Sequence, residues 1–109
     1  MGTSKTLTIT SKNSQELIDI KKIQFIKGNG DESEIVTTDI TYFTNDEWET
    51  ITSQLPKGLF KRVHDDFIIN IFNIDTISLA DSEVRVSNET IPIGPIYKAD
   101  LIEDLNFLT

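Results

Sequence analysis

The chain has no cysteine. Disulfides, thiolate metal sites and a cysteine nucleophile are therefore excluded. Histidine occurs once, at His64, which rules out any zinc site built on two histidines of this chain. Arginine occurs only at Arg62 and Arg85; in all, 10 Lys and Arg stand against 18 Asp and Glu, for a net charge of −8. A surface of that sign repels nucleic acid and anionic membrane at long range. No apolar run approaches the roughly 20 residues needed to span a bilayer. Met1 to Lys5 has no apolar core of a secretory signal, so the expected location is cytoplasmic. Met1-Gly2 with Thr6 fits the N-myristoylation pattern, and a remnant of expression is the commoner explanation of such a start.

What is present is an ordinary globular composition. The 109 residues, 38% hydrophobic and 26% charged, suit one domain with one substantial core, taken here as residues 1–109. Apolar and polar residues alternate over Thr6-Leu7-Thr8-Ile9-Thr10, a half-buried strand. Ser11 to Ser14 is a polar turn, and Glu16 to Ile20 is ambiguous. Ile23-Gln24-Phe25-Ile26 is an apolar strand broken by Gly28-Asn29-Gly30-Asp31, with return strands over Glu34–Thr38 and Ile40–Phe43. Thr44 with Glu47 has the spacing of a capping box, and Phe43 with Trp48 that of a hydrophobic staple. Trp48, Ile51 and Leu55 share one helical face before Pro56, which predicts a helix over about residues 45–54. Phe60 to Val63 reads as extended, and Asp65 or Asp66 as the cap of one helical turn over Phe67-Ile68-Ile69. Strands follow at Ile74–Leu79, Val84–Val86 and Thr90–Ile93, the last at an edge because of Pro92. Pro95 opens a final helix whose apolar side is Ile96, Leu101, Ile102 and Leu105. The class is mainly β with two or three short helices.

Enzymatic chemistry finds little support in these residues. A triad needs a nucleophile held by a base and a third group that orients the base; His64 is the only imidazole, and no nucleophile elbow or phosphate loop accompanies it. Asp65-Asp66 beside His64 offers metal ligands, but adjacent residues rarely converge on one ion. Asp31, Glu32 and Glu34 lack the alternating ligand spacing of a calcium loop. No cofactor, metal or catalytic residue is expected. His64 and Asn70 read as scaffold residues bonded to backbone, and Phe25, Phe43, Trp48 and Phe60 as core.

The most informative stretch is Phe60-Lys61-Arg62-Val63-His64-Asp65-Asp66-Phe67-Ile68-Ile69-Asn70, followed by Ile91-Pro92-Ile93 before the last helix. This order, over about residues 15–105, resembles the LytTR family of bacterial DNA-binding domains. That family's signature is an Arg, an apolar residue, His, a polar pair, an aromatic, two apolar residues and Asn. Arg62, Val63, His64, Phe67, Ile68, Ile69 and Asn70 match it in order. The resemblance implies an elongated stack of small antiparallel sheets and no enzymatic activity. Such domains are usually the output half of response regulators in transcription. Duplex DNA is then the expected partner, with a protein partner or a second copy on repeated sites also envisaged, and no membrane. The contacts it implies lie in the turn after the second strand, just after the signature His, and at a Ser-Arg opening the last segment.

Carried onto this chain, the candidate DNA-binding residues are Lys27, Asn29 and Ser33 near the turn, Lys57, Lys61 and Arg62 ahead of His64, Asp65 and Asp66 after it, and Pro95. Several depart from what DNA requires. The turn carries Asp31, Glu32 and Glu34, the polar pair is two aspartates, and the Ser-Arg position is Gly94-Pro95. Arginine can grip guanine or a phosphate with its planar fork; proline can do neither. A carboxylate facing a phosphate repels it, whereas a cation there would release a counterion. The expectation is DNA binding weakened by an acidic contact face. The alternative is a protein-interaction or sensory module on the same fold.

Overall fold

The computed structural model describes residues 6–108. The readings placed on Met1 to Lys5 lie outside the described residues. Ten strands and two helices are present among them: β1 (Thr6–Ser11), β2 (Ser14–Asp19), β3 (Ile23–Asn29), β4 (Glu32–Thr37), β5 (Thr41–Thr44), α1 (Trp48–Thr52), β6 (Phe60–His64), β7 (Phe67–Asn70), β8 (Ile74–Ser78), β9 (Glu83–Val86), β10 (Glu89–Pro92) and α2 (Pro95–Leu108). They form three antiparallel sheets: the pair β1-β2, a central sheet of order β5-β4-β3-β7-β6, and a third of order β10-β9-β8. A mainly β stack of small antiparallel sheets with two helices is thus observed, as the resemblance implies.

The central sheet is covered on both faces, and its sequence shows why. Successive side chains of a strand point to opposite faces. Consecutive apolar pairs therefore feed two cores. From β3, Ile26 enters a cluster with Leu7 and Ile9 of β1, Ile18 of β2, Ile35 of β4 and Ile51 of α1. Its neighbour Phe25 enters the other cluster, with Val63, Ile69, Val84, Val86, Ile91 and Leu101. Ile68 and Ile69 of β7 divide in the same way. Each fully buried Leu or Ile contributes about 1.5–3 kcal/mol by removal from water. A one-residue slip of β3 or β7 would exchange the two sets, so register is tightly specified.

The chain changes layer twice by the same device. Ile18-Asp19-Ile20 leads from β2 into a 3-10 turn over Ile20–Lys22 and then β3. Ile69-Asn70-Ile71 leads from β7 into a 3-10 turn over Ile71–Asn73 and then β8. In each, the Asx side chain caps the turn: Asp19 Oδ1 accepts from Lys21 N at 3.0 Å, and Asn70 Oδ1 from Phe72 N at 3.0 Å. Asn70 adds a second bond, donating Nδ2 to Ile23 O at 3.0 Å, so the later crossover grips the start of β3. The ambiguous stretch around Glu16 is strand β2 because it pairs along its whole length with β1.

Tertiary pairing overrides several local expectations. Helix α1 covers only Trp48–Thr52, shorter than residues 45–54, and its N-cap is Glu47 without a side-chain bond. The anticipated cap and first turn instead hold strand β1. Thr44 Oγ1 accepts from Asp46 N at 3.0 Å and donates to Thr10 O at 2.7 Å, while Asp46 Oδ2 accepts from Thr10 N at 3.0 Å. Gln54 does the same from the far end of α1, bonding both N and O of Thr8. Phe43 is no staple; it lies on edge strand β5 and is 46% exposed. Phe67-Ile68-Ile69 is not a helical turn but part of β7, paired with β3 on one side and β6 on the other. Pro95 does open α2, and Leu101 and Leu105 face the core, but Ile96 is 78% exposed and contributes nothing to it. The hairpin loops Lys12-Asn13 and Ser87-Asn88 take positive φ at both positions, the type I′ geometry that matches strand twist.

Candidate nucleic-acid interface

Three segments meet at one end of the central sheet: the β3–β4 hairpin, the β6–β7 turn and the start of α2. Two backbone bonds join them. Gly28 N donates to Asp66 O at 2.7 Å, and Gly94 N donates to Val63 O at 2.7 Å. Around these bonds lies a chain of side chains. Trp48 Nε1 donates to Ser33 Oγ at 2.6 Å, which fixes the indole against β4. The Arg62 guanidinium lies 4.8 Å from the Trp48 ring centroid and 5.9 Å from that of Tyr97. Its Nη2 donates to Asp65 O at 2.7 Å and its Nε to His64 O at 3.3 Å. Tyr97 OH donates to Asp65 Oδ1 at 2.7 Å. That bond holds the Tyr97 hydroxyl above the ordinary phenol range, so the proton remains through neutral pH and the bond is lost only at higher pH.

Gly28 illustrates why small size matters here. Strand β3 runs through it, and the loop proper is Gly30-Asp31, with Gly30 at φ 69°. Gly28 is needed for close approach instead: a Cβ on it would lie 2.9 Å from Trp48 Cζ2 and 3.4 Å from Cε2. The indole is pinned by Ser33 and cannot slide away freely. Gly28→Ala is expected to cost about 1–3 kcal/mol by overpacking. Urea unfolding followed by the fluorescence of this single tryptophan measures it; an unchanged midpoint would show that the indole yields without cost.

A family model for the LytTr DNA-binding domain matches residues 13–106. The chain belongs to the LytTr DNA-binding domain family. Its fold is similar to that of a solved LytTr DNA-binding domain, from a protein of Bacillus cereus described as a methyl-accepting/DNA response regulator. The identity is 18%, the TM-score 0.80, and the match covers 95% of this chain and 99% of that one. The search of curated proteins gave no match.

Within this LytTr domain the nine candidate contacts have different fates. Asn29, Asp66 and Pro95 are exposed at the junction, and Lys57 is exposed beside Phe60, toward the other end of β6. Ser33 is buried, 4% exposed, and its hydroxyl accepts from Trp48 Nε1. Lys61 is paired with Asp104 of α2 at 3.0 Å. Arg62 is exposed, but its Nε and Nη2 are held by backbone carbonyls. Asp65 is engaged by Tyr97, whereas the carboxylate of Asp66 has no hydrogen-bond partner among the described residues. Lys27 does not join Lys57, Lys61 and Arg62 in one basic patch. It lies on the opposite face of the central sheet, in a groove with Glu34 and Glu89, while Lys57 and Arg62 line a separate groove of about 300 Å³ floored by Leu55, Phe60 and Ile68. His64 Nδ1 accepts from Asp66 N at 3.1 Å, and the ring meets Phe67 edge-on. Among the described residues, no three His, Asp or Glu side chains are placed to share a metal ion, and no helix is long and apolar enough to cross a membrane.

Sequence reasoning missed Tyr97 and the role of Trp48. Trp48 looked like helix core because its spacing with Ile51 and Leu55 is helical. Its position opposite Gly28, and the pairing of Gly28 with Ser33 across β3 and β4, were visible only once the strands were in register.

Proposed function

We propose that this LytTr domain is the DNA-reading part of a bacterial cytoplasmic transcription regulator, of the response-regulator output type, and that its acidic contact face sets its affinity for duplex DNA low. The observation that carries this reading is the meeting of the three contact segments at one end of the sheet, joined through the Gly28–Asp66 and Gly94–Val63 bonds. Loops gathered on one rigid end can enter a groove together, and contact geometry is then set before binding. The low affinity follows from charge. Among the described residues, Lys61 is paired with Asp104, the Nε and Nη2 donors of Arg62 are held by carbonyls and Lys27 lies on the other side of the sheet, whereas Asp31, Glu32 and Asp66 bring negative charge to the hairpin and the turn. Few phosphates can then be neutralised, and most of the non-specific term is lost.

The same charge balance favours a second reading, a protein-interaction module with a basic partner. Titration of the domain into labelled duplex, including its own upstream region, at low salt and at about 150 mM separates the two. Binding that persists at the higher salt and prefers one sequence is expected for a regulator. Absence of binding even at low salt would leave the interaction module as the surviving reading.

A further inference from the structure

We infer that Arg62 is the positioning residue of the reading face: it holds the β6–β7 turn between the indole of Trp48 and the ring of Tyr97, and it is not a phosphate ligand. This rests on the DNA reading above. The argument begins with what one guanidinium reaches. Two of its N–H groups bond consecutive carbonyls, His64 O and Asp65 O, which close the turn that carries Asp66. One ring beside it, Trp48, is fixed to β4 through Ser33 and packs on Gly28 of β3. The other, Tyr97, belongs to α2 and bonds the Asp65 carboxylate. Arg62 therefore touches two of the three segments directly, its own turn and α2 through Tyr97, and reaches the β3–β4 hairpin through Trp48. Asp66 O, two residues on from His64, is in turn the acceptor of Gly28 N.

Only arginine has the shape for this. Its planar fork satisfies two carbonyls in fixed directions while its faces stack on rings; a lysine ammonium is a point charge on a flexible stem. Charge alone also accounts poorly for the site, since Arg62 has no ion-pair partner among the described residues although Asp65 and Asp66 follow it closely. Its donors are aimed at backbone.

The test compares Arg62→Lys, Arg62→Gln and Tyr97→Phe with the wild-type domain, using a duplex that the wild type binds. Affinity is measured across a salt series, and exchange of the Gly28 N–H and the Trp48 indole N–H is followed by NMR. For a positioning role, both arginine variants lose about tenfold or more in affinity at every salt concentration, with the slope of log K against log salt unchanged. Exchange at Gly28 and at the indole accelerates in both. Tyr97→Phe, which removes only a hydroxyl and leaves the core intact, gives a smaller loss of the same kind. A phosphate ligand behaves otherwise: Lys restores most of the affinity, and Gln lowers the slope by about 0.9. That result, or unchanged exchange in the arginine variants, overturns the inference while leaving DNA binding in place. A wild-type domain that binds no duplex overturns the DNA reading itself, and the positioning role with it.

Discussion

Asn70→Ala is expected to destabilise the domain by about 2–4 kcal/mol. The side chain is 4% exposed and makes two bonds to backbone. Its oxygen caps the second 3-10 turn at Phe72 N, and loss of such a cap costs about 1 kcal/mol. Its amide satisfies Ile23 O, which alanine leaves without that donor, at a further cost of about 1–3 kcal/mol. For a domain of this size the melting temperature should fall on the order of 10–20 °C. Asn70→Asp separates the two parts. It keeps the acceptor for Phe72 N but places a carboxylate against Ile23 O, so it should be at least as damaging as alanine at neutral pH. Asp19→Ala is the internal control. Its residue is exposed and makes only the cap bond, so a loss of about 0.5–1 kcal/mol is expected. Equal losses for Asn70→Ala and Asp19→Ala, measured by thermal melts, would show that the bond to Ile23 contributes nothing.

That asymmetry explains part of what the sequence conceals. Both crossovers carry the pattern Ile-Asx-Ile-x-x-Ile, at Ile18–Ile23 and Ile69–Ile74, yet an Asx-capped turn between strands has no periodic signal of its own. The strands themselves are legible. Alternation marks β1 and β9, the apolar run at Ile23–Ile26 marks the doubly buried β3, and Pro92 places β10 at an edge. The failures share one cause. Thr44 and Glu47 have capping-box spacing, and Thr44 does accept from a nearby N–H, but β1 needs Thr44 and Asp46 more than the helix does. Phe67-Ile68-Ile69 follows a residue able to cap, but two neighbouring strands offer its backbone a full set of partners. Local preferences of a few tenths to one kcal/mol cannot compete with a complete ladder and two buried faces.

The site was legible as segments and not as roles. The family resemblance named three candidate stretches, and the structure brings them together. What spacing could not distinguish was which polar atoms remain free once the segments meet. Lys57 and Lys61 look equivalent in sequence; Asp104 on α2 pairs with the second and leaves the first. Ser33 looks like a surface hydroxyl, yet the indole of Trp48 occupies it. Partners of this kind come from 15 or more residues away, so no local window contains them.

Asp65 and Asp66 are the sharpest instance, and they give the second large effect. The sequence offers both as negative charges after His64. In the structure Asp65 accepts from Tyr97 and is part of the scaffold, whereas Asp66 is exposed with its carboxylate free among the described residues. Charge engineering of the face should therefore spare Asp65. Asp66→Asn combined with Pro95→Arg is expected to raise affinity for duplex DNA on the order of 100-fold at about 150 mM salt. Removing a carboxylate within about 5 Å of a phosphate relieves on the order of 1 kcal/mol even in a water-like dielectric. An arginine–phosphate bond adds about 1.5–3 kcal/mol. The slope of log K against log salt should steepen by about 0.9, the mark of one more phosphate neutralised. Pro95 is the first residue of α2, so Arg there costs some pre-organisation and meets the positive end of the helix dipole; a small fall in melting temperature should accompany the gain. Asp65→Asn with Pro95→Arg is the comparison. Asn keeps an acceptor for Tyr97 but as a weaker, neutral one, so the gain should be smaller than with Asp66→Asn. If both pairs leave the binding isotherm flat at low salt, the face has no DNA role for added charge to strengthen, and its acidic residues serve a different partner.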